Sequence, residues 1–133
     1  VARRVDVPAP YGRPPPSRRG SRRPSWWRVP AQVGTRYARV SGDHNPIHTS
    51  TLGARLFGFR RRIAHGMWST ARCLAALEGR LPSAYTVAVT FAAPMPLPAT
   101  VSFAARADLA GNGWTFGLHD ARTARPHLTG TVS

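Results

Sequence analysis

Asp43-His44-Asn45-Pro46-Ile47-His48 sets one carboxylate, one amide and two imidazoles in a single short stretch. Gly42 and Pro46 bend the backbone there. Glycine tolerates left-handed conformations, and a residue before proline, here Asn45, is biased away from the helical region. Such a bend is poor core material but can hold an acid and a base at a fixed separation. Histidine titrates near neutrality, so it can take and return a proton, and a nearby carboxylate can orient it or share a water with it. Asp43 and His48 are therefore the candidate catalytic pair. The plainer reading makes Asp43 the cap of its own turn and His48 a satisfied surface residue. His44 is expected to face solvent. A metal centre built from Asp43, His44, His48 and His65 would need about four converging ligands. The spacing matches no metal motif, and no metal is expected.

A second polar stretch, Ile63-Ala64-His65-Gly66-Met67, stands directly before a helical pattern. The first amide N–H groups of a helix lack internal partners. The Gly66 N–H is thus a candidate oxyanion donor, because preorganised donors stabilise charge that forms in a transition state. The alternative is that Gly66 only permits close packing of helix on sheet. His65 is read as a pocket-lining or structural residue, and Ser69 as locally hydrogen-bonded.

The elements around these residues follow from periodicity. Met67, Ala71, Leu74 and Ala75, widened by Trp68 and Leu77, predict a helix over 66–78 with a broad apolar stripe. Gly79 and Pro82 stop it. The period then falls to two. Tyr85, Val87, Val89 and Phe91 form one strand, and Val101, Phe103, Ala105 and Ala107 a second. Gly111-Asn112-Gly113 is a tight turn. Trp114, Phe116 and Leu118 give a third strand, with Gly117 as a bulge candidate, and Leu128, Gly130 and Val132 a fourth. Thr51–Leu56 reads as a short helix or turn, and residues 31–40 are ambiguous. A helix followed by a strand meander implies an α+β fold, with an antiparallel sheet packed on the helix.

The chain has 133 residues and a formal charge of +14. Eight of nineteen basic residues and seven of thirteen prolines lie in residues 1–30. That segment is expected to be a disordered tail or linker. Pro14, Pro15 and Pro16 favour polyproline conformations, and Arg18, Arg19, Arg22 and Arg23 make a basic run. Trp26 and Trp27 are expected to pack back onto the folded part, residues 31–133. All the basic residues are Arg, which reads as coding bias as much as function. Nothing resembles a nucleic-acid motif, so nucleic-acid binding is not expected. Cys73 is alone, so no internal disulfide forms. No apolar run has membrane-spanning length and no secretory signal is recognisable, so a cytoplasmic location is expected.

Tyr37, Ser41-Gly42-Asp43-His44-Asn45-Pro46-Ile47-His48 and Ala54, followed by Ile63-Ala64-His65-Gly66-Met67, resemble the two signature segments of the MaoC-like dehydratases, the (R)-specific enoyl-CoA hydratase family. Within it the wording resembles the mycobacterial-type 3-hydroxyacyl-thioester dehydratases. The resemblance covers about residues 31–133. It implies a hot-dog fold, a central helix wrapped by a curved antiparallel sheet. It also implies that Asp43 and His48 activate water for addition to a trans-2-enoyl thioester, or expel it from a (3R)-3-hydroxyacyl thioester. Gly66 would hold the thioester oxygen, Asn45 the bend and its hydrogen bonds, and His65 would belong to the substrate-binding group. No cofactor is implied beyond the coenzyme A or acyl carrier protein thioester that is the substrate. A homodimer, or pairing with a second hot-dog domain, is expected, and no membrane association. Two departures stand out. Many single-domain members place a strand and a helix before Ser41, where this chain has its Pro/Arg stretch, so it is expected to be the C-terminal half of a double hot-dog protein. Leu74 replaces a hydroxyl residue that some hydratases carry. The rival readings are a dehydratase of carrier-protein thioesters and a non-catalytic hot-dog subunit or acyl-thioester-binding module. Arg60, Arg61, Arg62 and Arg106 are candidate contacts for phosphates or an acidic carrier.

Overall fold

The computed structural model describes residues 2–8 and 21–133. Among these, six strands form one antiparallel sheet in the order β1-β3-β6-β5-β4-β2. The strands are β1 (Ala2–Pro8), β2 (Ser21–Val29), β3 (Ala84–Phe91), β4 (Ala99–Ala107), β5 (Trp114–Asp120) and β6 (Pro126–Val132). Four helices, α1 (Val33–Ser41), α2 (Pro46–Thr49), α3 (Thr51–Leu56) and α4 (Gly66–Ala76), fill the chain between β2 and β3. Architecture and pattern agree on an α+β hot-dog fold.

Alternation is clear where it was expected. In β4 the buried residues are Val101, Phe103 and Ala105, and β6 buries Leu128, Gly130 and Val132. These strands meet Cys73 of α4 and Leu77, its C-cap, in one core cluster. Full burial of each large side chain contributes about 1.5–3 kcal/mol. The meander holds only for β4, β5 and β6. β3 does not pair with its successor β4 but lies between β1 and β6.

Two expectations need correction, the first and third below, and one open reading, the second, resolves. First, residues 2–8 and 21–29 are strands of the sheet, not a tail. With α1, β2 supplies the strand and helix that the Pro/Arg stretch seemed to displace. Within β2, Ser25, Trp27 and Val29 are turned in while Pro24, Trp26 and Arg28 are exposed. Trp27 stacks on Phe103 at 4.9 Å, and the Arg72 guanidinium lies over the Trp27 ring, 4.3 Å from its centroid. Trp26 faces solvent. Pro14, Pro15, Pro16, Arg18 and Arg19 lie outside the described residues. Second, residues 33–41 are a helix, closed by Gly42 at φ 76°, whose N–H donates to the Ala38 carbonyl. Glycine suits that left-handed position. Third, α4 buries Ser69, Thr70 and Cys73, and Leu77 is buried just past its end, whereas Ala71 and Ala75 are exposed. The polar residues can turn inward because the Thr70 hydroxyl donates to the Gly66 carbonyl at 3.0 Å and Ser69 lines a cavity.

No described helix is long and apolar enough to cross a membrane.

Candidate active site

The bend is built by successive local caps. The Ser41 hydroxyl donates to the Tyr37 carbonyl at 2.9 Å, and the Asp43 Oδ1 accepts from the Asn45 N–H at 3.2 Å. Asn45 is the N-cap of α2, its Oδ1 accepting from the Ile47 N–H at 3.2 Å, and Pro46 takes the first helical position. Asparagine at an N-cap and proline just inside are favoured placements. The Asn45 side chain thus holds the backbone that carries His48, as expected of it. His44 is exposed.

His48 is buried, and its ring is oriented from behind. Nδ1–H donates to the Ile63 carbonyl at 2.7 Å. A carbonyl can only accept, so in the neutral ring Nε2 carries the free lone pair. That Nε2 lies 3.9 Å from the Asp43 Oδ2. The gap is too wide for a direct hydrogen bond, and a water bound to both groups could bridge it. Burial holds the His48 pKa below its ordinary value, partly offset by the bond to Ile63. The adjacent His65 lowers it further and Asp43 raises it. His48 is therefore neutral at pH 7 and available as a base.

His65 is the N-cap of α4, although its side chain makes no capping bond. Its Nε2–H donates to the Asp43 backbone carbonyl at 2.9 Å, and its ring stacks on His48 with centroids 3.8 Å apart. The next residue, Gly66, opens the helix. A Cβ at Gly66 would come within 2.7 Å of the Phe91 ring, so any larger residue there requires that ring to move.

His48, Ile63, Gly66, Ser69, Phe91 and Met95 line a cavity of about 370 Å³, together with Met67 and His127. The base, the helix start and an apolar chamber thus share one space. Leu74 is not among its lining residues, and Ser69 supplies a hydroxyl there instead. His127 went unnoticed in the sequence. Its Nδ1–H donates to the Ala93 carbonyl at 3.3 Å, and its Nε2 is buried without a partner. A lone histidine at the start of a strand carries no local signal of this placement.

Asp43, His48 and His65 each offer a ligand atom within 4.8 Å of the others. The hydrogen on His65 Nε2 is committed to the Asp43 carbonyl, however, so a metal here would have to displace that bond. The donor set is better matched to moving protons than to holding an ion.

Cys73 is no part of this chemistry. Burial pushes its thiol up to about 12, so it is un-ionised and unreactive in the folded chain.

Fold and site together define a hot-dog domain with an Asp/His pair whose histidine lines an apolar chamber. The MaoC-like domain matches residues 15–114, and the chain belongs to that family. It is similar to 3-hydroxyacyl-thioester dehydratase X of Mycobacterium tuberculosis, 48% identical over 105 residues, which are 78% of this chain and 36% of the relative. A crystal structure of HtdX from the same organism superposes with a TM-score of 0.74 at 44% identity, covering 81% of this chain and 46% of the other. The (R)-hydratase of A. caviae involved in PHA biosynthesis shares the fold, with a TM-score of 0.70 at 20% identity over 85% of this chain and 91% of the other. The chain spans about a third of the curated dehydratase it matches.

Proposed function

We propose that this chain carries the active site of a hydro-lyase that reversibly hydrates trans-2-enoyl-CoA to (3R)-3-hydroxyacyl-CoA in fatty acid metabolism. The observation that carries this reading is the His48 Nε2 lone pair. It is turned toward the Asp43 carboxylate across a water-wide gap of 3.9 Å, beside the cavity that Gly66 also lines. His48 takes a proton from the water held between it and Asp43. The oxygen adds to C3 of the enoyl group, and electrons move to the thioester oxygen. The Gly66 N–H, at the start of α4, stabilises that oxygen as it becomes enolate-like. The Asp43/His48 pair then returns a proton to C2, and dehydration is the reverse. Asn45 acts by holding α2, and the acyl chain occupies the apolar part of the cavity.

Two alternatives remain as outcomes of the test: thioesters of an acyl carrier protein as substrate, and a non-catalytic subunit. We also propose that the chain works paired with a second hot-dog unit, as a homodimer or a double domain. The resemblance to a longer dehydratase supports this.

Purified protein is mixed with crotonyl-CoA and with a longer 2-enoyl-CoA, and loss of enoyl absorbance is followed with chiral analysis of the product. The (3R) product is expected. D43N and H48A should each lower turnover by about 10²–10⁴-fold with the fold preserved by circular dichroism. Normal turnover in either variant would sink the assignment. A folded but silent wild type that turns over carrier-bound substrate moves the function to the first alternative; silence with both moves it to the second.

A further inference from the structure

We infer that His65 is a positioning residue for the acid/base pair, and that His48 and His65 are held as stacked imidazoles in opposite tautomers. The inference rests on the reading of Asp43 and His48 as the groups that handle protons.

Two contacts carry it. The Asp43 carbonyl lies 2.9 Å from His65 Nε2, so the hydrogen of His65 is on Nε2. The Ile63 carbonyl lies 2.7 Å from His48 Nδ1, so the hydrogen of His48 is on Nδ1. The two rings face each other at 3.8 Å with 23° between their planes. Both Nε2 atoms lie near the same carboxylate oxygen, Asp43 Oδ2, at 3.9 Å for His48 and 3.7 Å for His65. Only the His48 nitrogen is bare. The carboxylate is thus flanked by one acceptor and one donor, and the acceptor alone can take a proton from water.

The surroundings of His65 suit a support and not a reactant. The residue is 3% exposed, and the Tyr37 ring meets it edge-on at 4.9 Å. Its Nδ1 is buried without a partner, so among the described residues the Nε2–H contact is the side chain's one hydrogen bond. That contact joins residues 22 apart in sequence and ties the exposed Asp43 bend to the buried start of α4. Because Gly66 follows directly, one side chain indexes three parts of the site: the carboxylate's backbone, the base's ring and the helix start. Asp43 is half-exposed and has no other long-range hydrogen bond to fix it among the described residues.

The test has two parts. Long-range ¹⁵N–¹H spectra of uniformly labelled protein, with signals assigned through H48Q and H65Q, report each tautomer directly. Nε2–H is expected for His65 and Nδ1–H for His48 near neutral pH; the reverse tautomer at His65 would overturn the inference whether or not the protein is active. The second part compares His65→Phe, which keeps a ring but no donor, with His65→Gln, which keeps a donor. Displacing a reacting group by about 1 Å costs up to about 10²-fold, so H65F should lower kcat by about 10–10²-fold with KM nearly unchanged. H65Q should recover most of that loss. Unaltered kcat in H65F, or equal loss in both variants, would overturn the positioning role. If H65F does not fold, the wild-type tautomers and the H65Q kinetics decide. A wild type inactive toward thioesters but showing the expected tautomers refutes the proposed reaction and leaves the arrangement standing.

Discussion

In the proposed reaction, His48 is made into a base by its surroundings. Ile63 fixes which nitrogen is bare, and burial makes the charged form costly. The base must be neutral to accept a proton, so activity rises with pH as His48 loses its own. Its pKa is depressed below the usual 6.5. The acidic limb of kcat/KM is therefore expected below pH 6.5. A pH–rate profile with crotonyl-CoA checks this, and a limb at or above the ordinary imidazole value would contradict the neutral-base reading. The bend that carries Asp43 and the helix start at Gly66 were legible in the sequence because both are local features, read from a few adjacent residues. The partner of His65 was not, since its acceptor stands 22 positions away and is a backbone carbonyl that any residue supplies. Nor was the role of the Ile63 carbonyl, which leaves no mark on side-chain identity.

At the scale of elements, α1, α2 and α3 pack on one another around the bend. α2 and α3 are started by side-chain caps, with Ser50 Oγ accepting from the Gly53 N–H at 3.1 Å. α1 rests directly on the backbone of α2. A Cβ at Gly34 would stand 2.0 Å from the His48 carbonyl oxygen. Neither partner is a flexible side chain, so Gly34→Ala must push the helices apart. Such overpacking typically costs about 1–3 kcal/mol. A lower urea midpoint is expected, together with a loss of kcat because the displaced segment carries the base; unchanged stability would show that α1 yields freely. This contact explains a glycine that propensity alone would count against a helix. The strands after α4 were legible because their alternation is regular. β2 obeys the same rule through Ser25, Trp27 and Val29, but proline and arginine masked it. The inward face of α4 was misread because apolar character was weighed above cavity lining, and Ala71 and Ala75 lie on the exposed side.

For the molecule as a whole, the +14 charge is spread over arginines, two of which line a second cavity. Arg61 and Arg122 stand there with Asp120 and His127, and His127 also borders the chamber of the proposed active site. Of the arginines singled out in the sequence as contacts for phosphates or an acidic carrier, Arg61 lines this second cavity. Arg106 lies on β4, paired in register with Ser21 and Thr115.

Cys73 is the sole thiol of the chain and is fully buried on α4, the helix whose first residue is Gly66. Sealed in this way, it is a built-in clock for the breathing of that helix. A thiol reagent can modify it only during an opening, so under native conditions the labelling rate counts how often the helix lifts from the sheet. A ligand that binds only the closed form should slow the clock by the factor by which it stabilises that form, about a hundredfold at a hundred times its Kd. Labelling with a saturated acyl-CoA present is expected to show this slowing, whereas a rate indifferent to the ligand would mean that occupancy and helix opening are uncoupled.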